Sequence, residues 1–203
     1  MATNCLTNRS ITTSASLRRL NSNVRRTGRF LAMTDYERLL WVLAEEMESS
    51  ISSCFSKVSE THEWVDSDEE ANALMRRFRG IFVASLVGEI EEKIGRKFSS
   101  VFDQLSDTPT PKSSSYWFED MPETSSSKGR AKLMWAIRVA YTHGNGHIDQ
   151  ITDQDVASWL TPEFAKKHFR GLRVENDLVQ VFGDVTYPAL KTALEIYEKF
   201  KSA

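Results

Sequence analysis

Cysteine is almost missing from this chain: Cys5 and Cys54 are the only two in 203 residues. They make neither a disulfide framework nor a zinc site, and such sparse usage fits a reducing compartment. Long apolar runs are missing too. Nothing approaches the roughly 18 consecutive apolar residues of a membrane-spanning helix, so no membrane partner is expected. No segment repeats, and strands do not alternate with helices, which excludes solenoids and parallel βαβ folds. No cluster of carboxylates or histidines is spaced to hold a catalytic metal, and no cofactor is expected.

A more local absence concerns acid. Residues 1–34 contain six arginines (Arg9, Arg18, Arg19, Arg25, Arg26, Arg29) and no Asp or Glu. Taking those six from the 26 basic residues leaves 20 against all 28 acidic ones, so the rest of the chain carries a net of −8. An acidic body does not capture nucleic acid broadly, and any RNA chemistry must rest on a local site. The arm is also rich in Ser, Thr and Asn, as organelle transit peptides are. Two blander readings stand beside that one: a disordered basic tail, or a start extended upstream of Met33 as the initiator. The expected organisation is a basic arm over 1–33 and one helical domain over 34–203, cytoplasmic unless the arm directs it elsewhere.

What is present is helical periodicity. Thr34 is placed to cap a helix whose first turn carries Asp35 and Glu37. Its apolar positions are Leu39, Leu43, Met47, Ile51, Cys54, Phe55 and Val58. After "HEWVDSD", Ser67 precedes Asp68, Glu69 and Glu70 at the start of a second helix running to about Leu105. Leu74, Phe78, Ile81, Phe82, Leu86, Ile90, Ile94, Phe98, Val101 and Leu105 carry its apolar side, interrupted by Gly80, Gly88 and Gly95. These two helices are expected to form a long antiparallel pair. Residues 106–126 hold three prolines and six serines around Tyr116-Trp117-Phe118, a loop long enough to be functional or disordered. Ser127 is expected to cap a third helix through about Thr142, with Leu133, Ile137, Ala140 and Tyr141 inward. Thr152 or Thr161-Pro162 can start short helices. "LRVENDLVQVF" reads as a small β-hairpin near 172–182, and a last helix spans about Asp184 to Lys201, with Leu190, Leu194, Ile196 and Tyr197 inward. Four substantial helices make an all-α bundle.

The third helix ends in "RVAYTHGNG". Arg138 and His143 are the only arginine and following histidine in the chain with four to six residues between them. On a continuous helix they lie about 500° apart in rotation, so their side chains diverge by about 140°. They converge only if the helix stops near Thr142 or if two copies of the motif meet. Gly144 and Gly146 are suited to such a stop, which would set His143 at the negative end of the helix dipole. The chemistry is that of metal-free RNA cleavage. A histidine can take the proton of a ribose 2′-hydroxyl or give one to the leaving oxygen, and an arginine fork suits phosphate oxygens on which charge builds. The plainer reading is a surface arginine and a helix-capping histidine.

An Arg-x4-His near the end of the third long helix of an all-α bundle resembles the HEPN family (higher eukaryotes and prokaryotes nucleotide-binding domain). The resemblance spans roughly residues 34–200, with "RVAYTHGNG" its sharp part. It implies a helical bundle, often a homodimer, and for many members a metal-independent endoribonuclease of toxin–antitoxin or antiviral-defence systems. Arg138 and His143 would then be catalytic. The family often carries an acid on the preceding helix, and "LVGEIEEKI" supplies Glu91, with Glu89 next, to orient the arginine. One position departs: the residue after the arginine, often polar in active members, is Val139. That favours a non-catalytic member binding RNA or nucleotide, or pairing with a nucleotidyltransferase antitoxin. A helical adaptor without a nucleic-acid role is the third reading. Asn145 is a candidate phosphate donor or a plain turn residue, and His147 an assisting group or a surface histidine. Arg76, Arg77 and Arg79 are candidate RNA contacts or a solvated face. His62 and His168 read as structural or exposed.

Overall fold

The computed structural model describes residues 34–61, 68–109 and 124–201. His62, Ser67 and the Tyr116-Trp117-Phe118 cluster lie outside them, as do the side chains of Cys54, Phe55 and Val58. By compactness the chain divides at Leu40, inside the first helix, into a unit Met1–Leu40 and a unit Trp41–Ala203.

In the first unit, Thr34 and Glu37 cap each other. The Thr34 N–H donates to Glu37 Oε2 at 2.6 Å and the Glu37 N–H returns to Thr34 Oγ1 at 3.3 Å, a reciprocal box that satisfies two otherwise orphaned donors. Helix α1 (Asp35–Thr61) begins there and runs on into the second unit.

The second unit is all-α with one small hairpin. After α1 come α2 (Asp68–Ile94), a 3-10 segment (Phe98–Gln104), α3 (Ser127–Gly144), α4 (Gln154–Ser158), α5 (Pro162–His168), strands β1 (Leu172–Glu175) and β2 (Leu178–Val181), and α6 (Gly183–Phe200). The second helical pattern is shorter than its spacing suggests. It ends at Ile94 because Gly95 enters the left-handed region at φ 66°. Phe98, Val101 and Leu105 are nevertheless buried, now from the 3-10 segment and its end.

Helix α2 packs mainly on α3 and α6, and also on β2. The expected pairing of the first two helices is therefore not the main packing. What ties α1 to α2 is polar: Glu48 takes the Arg79 guanidinium through both oxygens and accepts the Thr186 hydroxyl of α6 at 2.6 Å. Nearby, Trp41 stacks on Tyr187 with centroids 5.1 Å apart.

The buried face of α2 keeps Leu86, Ile90 and Ile94 of the expected stripe but not its first half. Val83, Leu86, Val87, Ile90 and Ile94 are inside, whereas Leu74, Phe78 and Ile81 are exposed. Apolar residues occupy both sides of this helix, and spacing alone does not distinguish them. On α1 likewise, Trp41, Ala44 and Ile51 are buried and Leu43 is half exposed. Buried α3 and α6 residues (Leu133, Met134, Ile137, Leu190, Ile196) complete the core.

Local chemistry explains the remaining elements. Ser126, one residue before the expected Ser127, caps α3 by accepting the Gly129 N–H. Asp153, not Thr152, caps α4, and Thr161 caps α5 with Pro162 in its first turn. Asn176 and Asp177, at φ 51° and 58°, make the two-residue turn of the hairpin, matching the twist of its strands. In α6, Leu190 and Ile196 face inward as expected, while Leu194 and Tyr197 are only half-buried.

Candidate functional site

Helix α3 does not stop at Thr142. It continues through His143 to Gly144, and Asn145 closes it in the left-handed conformation at φ 54°, its N–H donating to the Ala140 carbonyl. Arg138 and His143 thus share one unbroken helix, and their side chains leave it about 140° apart. Convergence within one chain by an early helix end is corrected by this geometry.

Arg138 is half-buried and closely held. Its Nη1 pairs with Glu91 Oε2, its guanidinium lies 5.4 Å from the Trp135 ring centroid, and it rests over Gly88. The other Glu91 oxygen accepts the Phe98 N–H at 2.8 Å. Glu91 thus fixes both the arginine and the chain's exit from α2, at the position anticipated for an orienting acid. Glu89 is half-buried with no hydrogen-bond partner among the described residues. His143 is exposed, and among the described residues nothing hydrogen-bonds its ring. Val139, between them in sequence, is half-buried.

The residues after His143 are sewn to the hairpin. Val179 N–H donates to the Gly146 carbonyl at 2.9 Å, Ile148 N–H to the Asp177 carbonyl at 2.8 Å, and His147 bridges Leu178. Tyr141 reinforces this from inside α3, donating its hydroxyl to the Val179 carbonyl at 2.8 Å while its ring fills the place of a side chain at Gly80. Burial pushes the Tyr141 phenol up to about 12, against the opposing pull of Arg77 and Arg76, so it stays a neutral donor.

Asn145 is a turn residue whose side chain nonetheless takes part. Its Oδ1 accepts Arg77 Nη2 at 2.7 Å across to α2. Arg77 is exposed, Arg76 pairs with Glu69 at 2.7 Å, and Arg79 is committed to Glu48. Of the three arginines considered for RNA, Arg79 is removed by that bidentate pair, and Arg77 stands beside the motif.

Elsewhere, His168 is buried, accepting the Ser126 N–H through Nδ1 at 3.4 Å, and burial drives its imidazole down to about 4. It is structural. Arg130 is wholly buried, with Thr192 on Nε at 2.7 Å, Ser125 on Nη1 at 2.8 Å and Glu195 on Nη2 at 3.3 Å. A buried arginine with so many acceptors ties α3 to α6, and no spacing in the sequence pointed to it. Among the described residues no three of His, Cys, Asp and Glu gather as metal ligands, and no helix is long and apolar enough to cross a membrane.

Comparison with protein-family models, with curated proteins and with solved structures finds no match to this chain.

Proposed function

We propose that this chain is a metal-independent endoribonuclease of the HEPN type, a toxin or antiviral-defence effector whose site combines the Arg138/His143 motifs of two copies. The observation that carries the reading is Arg138 itself. It stands at the motif position, oriented by Glu91 on the preceding helix, with Nη2 and Nε unbonded among the described residues. Those donors suit the non-bridging oxygens of a phosphodiester.

In this reading one His143 takes the proton of a 2′-hydroxyl, and that oxygen attacks the adjacent phosphorus. The bond to the 5′-oxygen breaks, and the second His143 protonates the leaving oxygen. The products are a 2′,3′-cyclic phosphate and a 5′-hydroxyl end. One chain offers one motif histidine, directed away from its own arginine, so in this reading the acid, the base and the charge stabiliser come from two copies. The expected partners are RNA, a second copy, and an antitoxin or nucleotidyltransferase that restrains the activity.

Val139 favours a second reading, a non-catalytic HEPN domain that binds RNA or nucleotide. The Glu91–Arg138 pair also suits a helical adaptor in which the arginine is only structural. Incubating the purified chain with RNA in EDTA separates them. The nuclease reading expects cleavage with cyclic-phosphate ends, lost in His143→Ala and Arg138→Ala. Metal-dependent cleavage, or full activity in both variants, would falsify it.

A further inference from the structure

Arg173 on β1 is a lightly committed cation. Its side chain is 60% exposed, and its only carboxylate neighbour among the described residues, Glu175, lies at the 4.0 Å limit of an ion pair. Its guanidinium stacks against the Phe182 ring, 4.7 Å from the centroid, and Arg76 of α2 lies 5.3 Å from the same centroid. An arginine resting on an aromatic ring loses less conformational freedom when its outer donors bind a ligand.

Arg76 is already neutralised by Glu69, so it serves to seat the ring. Arg170 is exposed two residues before β1, and the Phe182 N–H, bonded to the Gly171 carbonyl at 2.9 Å, keeps that turn beside the ring. On the other side, Arg77 is exposed and bound only to the neutral Asn145 side chain among the described residues, which joins it to the His143 loop. Arg76 and Arg77 are consecutive on α2, so the Phe182 ring relates the Arg170 and Arg173 side of the hairpin to the Arg77–Asn145 side. Outside the acid-free arm the chain is a net of −8, so three exposed arginines stand out even with Glu175 at 4.0 Å from Arg173 and Asp184 packed on Gly171.

We propose that Arg77, Arg170 and Arg173 form a phosphate-binding track for single-stranded RNA, with Phe182 as the seat of its central arginine. The proposal rests on the ribonuclease reading for its ligand, but it is a statement about binding. The track engages phosphates that flank the scissile one, so its arginines act on affinity and not on the chemical step.

The test uses the full chain carrying His143→Ala and a fluorescein-labelled single-stranded RNA, followed by anisotropy over a range of salt. Arg170→Ala with Arg173→Ala is expected to weaken binding about tenfold or more at low salt. It should flatten the dependence of log affinity on log salt by about 0.7 for each phosphate that is no longer neutralised. Phe182→Leu, which keeps apolar bulk but removes the ring, is expected to weaken binding less. Lys97→Ala, removing one charge outside the track, is expected to change little. In the chain with His143 intact, the double variant should raise KM and leave kcat nearly unchanged.

Unchanged affinity in the double variant, an equal loss in Lys97→Ala, or a fall in kcat with affinity intact would each overturn the track, as would no RNA binding at all. RNA binding that obeys the pattern, in a chain that never cleaves, supports the track and removes the ribonuclease reading. A single-stranded DNA that competes equally also supports the track, because it shows recognition of the phosphate backbone without the 2′-hydroxyl.

Discussion

Arg138 on α3 is paired with Glu91 on α2, and Glu91 uses its second oxygen to hold the Phe98 N–H at 2.8 Å. One carboxylate therefore serves the motif arginine and the start of the 3-10 segment together. The pair is partly buried, 29% exposed at Arg138 and 15% at Glu91, so solvent screens it incompletely.

Removing the carboxylate strands two donors. Glu91→Ala is expected to destabilise the fold by about 1–3 kcal/mol, the range for leaving a partly buried charged group without its hydrogen bonds. Glu91→Gln retains an acceptor and should cost less. Thermal unfolding ranks the two. An Ala variant as stable as the parent would show the pair to be incidental.

Gly80 and Tyr141 meet at a second close approach between α2 and α3. An added Cβ at residue 80 would stand 2.1 Å from Tyr141 Cζ, and that ring is anchored by its bond to Val179. Gly80→Ala should therefore cost about 1–3 kcal/mol as an overpacked core. In a Tyr141→Leu background the added methyl group has room, and the cost of Gly80→Ala should shrink. A double-mutant cycle measures the coupling, and additivity would contradict the argument.

His168 gives the fold a pH dependence. Its folded pKa of about 4 lies below the ordinary value of 6.5 because burial disfavours the charged ring. Between those values the unfolded chain binds the extra proton, so the contribution is full above pH about 6.5 and declines as pH falls toward 4. Denaturant midpoints should drop across that window. His168→Phe should show a flatter profile between the two pH values, whatever its stability at pH 7.

How far the sequence was legible depended on the kind of signal. Turn and cap chemistry is local, so the hairpin, the Thr34 cap and the Thr161-Pro162 start were all readable. The second half of the α2 core (Leu86, Ile90, Ile94) was readable too, but its first half was not, because Leu74, Phe78 and Ile81 repeat with the same period as the true core residues. The extent of α3 was obscured for a related reason. The helix runs two residues past the expected Thr142 to Gly144, and the bonds from Gly146 and Ile148 that hold this end go to hairpin partners about 30 residues away in sequence. Glu91 was found from its place before the motif, whereas the Arg173–Phe182 contact joins β1 to a residue beyond β2 and left no spacing to read.

The continuity of α3 makes the last prediction sharp. If Arg138 and His143 of one chain cannot reach the same phosphate, a working site needs contributions from two copies. Arg138→Ala and His143→Ala should each be inactive alone, because losing an acid–base group or the charge stabiliser costs on the order of a hundredfold or more. Arg138→Lys should also be poor. It keeps the charge but loses the planar fork, and a lysine presents a different geometry to Glu91 and phosphate. Mixing the two alanine variants after denaturation and refolding should leave cleavage about a hundredfold or more below the parent, since a mixed pair contains one His143 where the proposed step uses two. Light scattering on the same samples should report a dimer. Cleavage by a strictly monomeric parent, or parental activity in the mixed pair, would show that the site does not need the His143 of both copies.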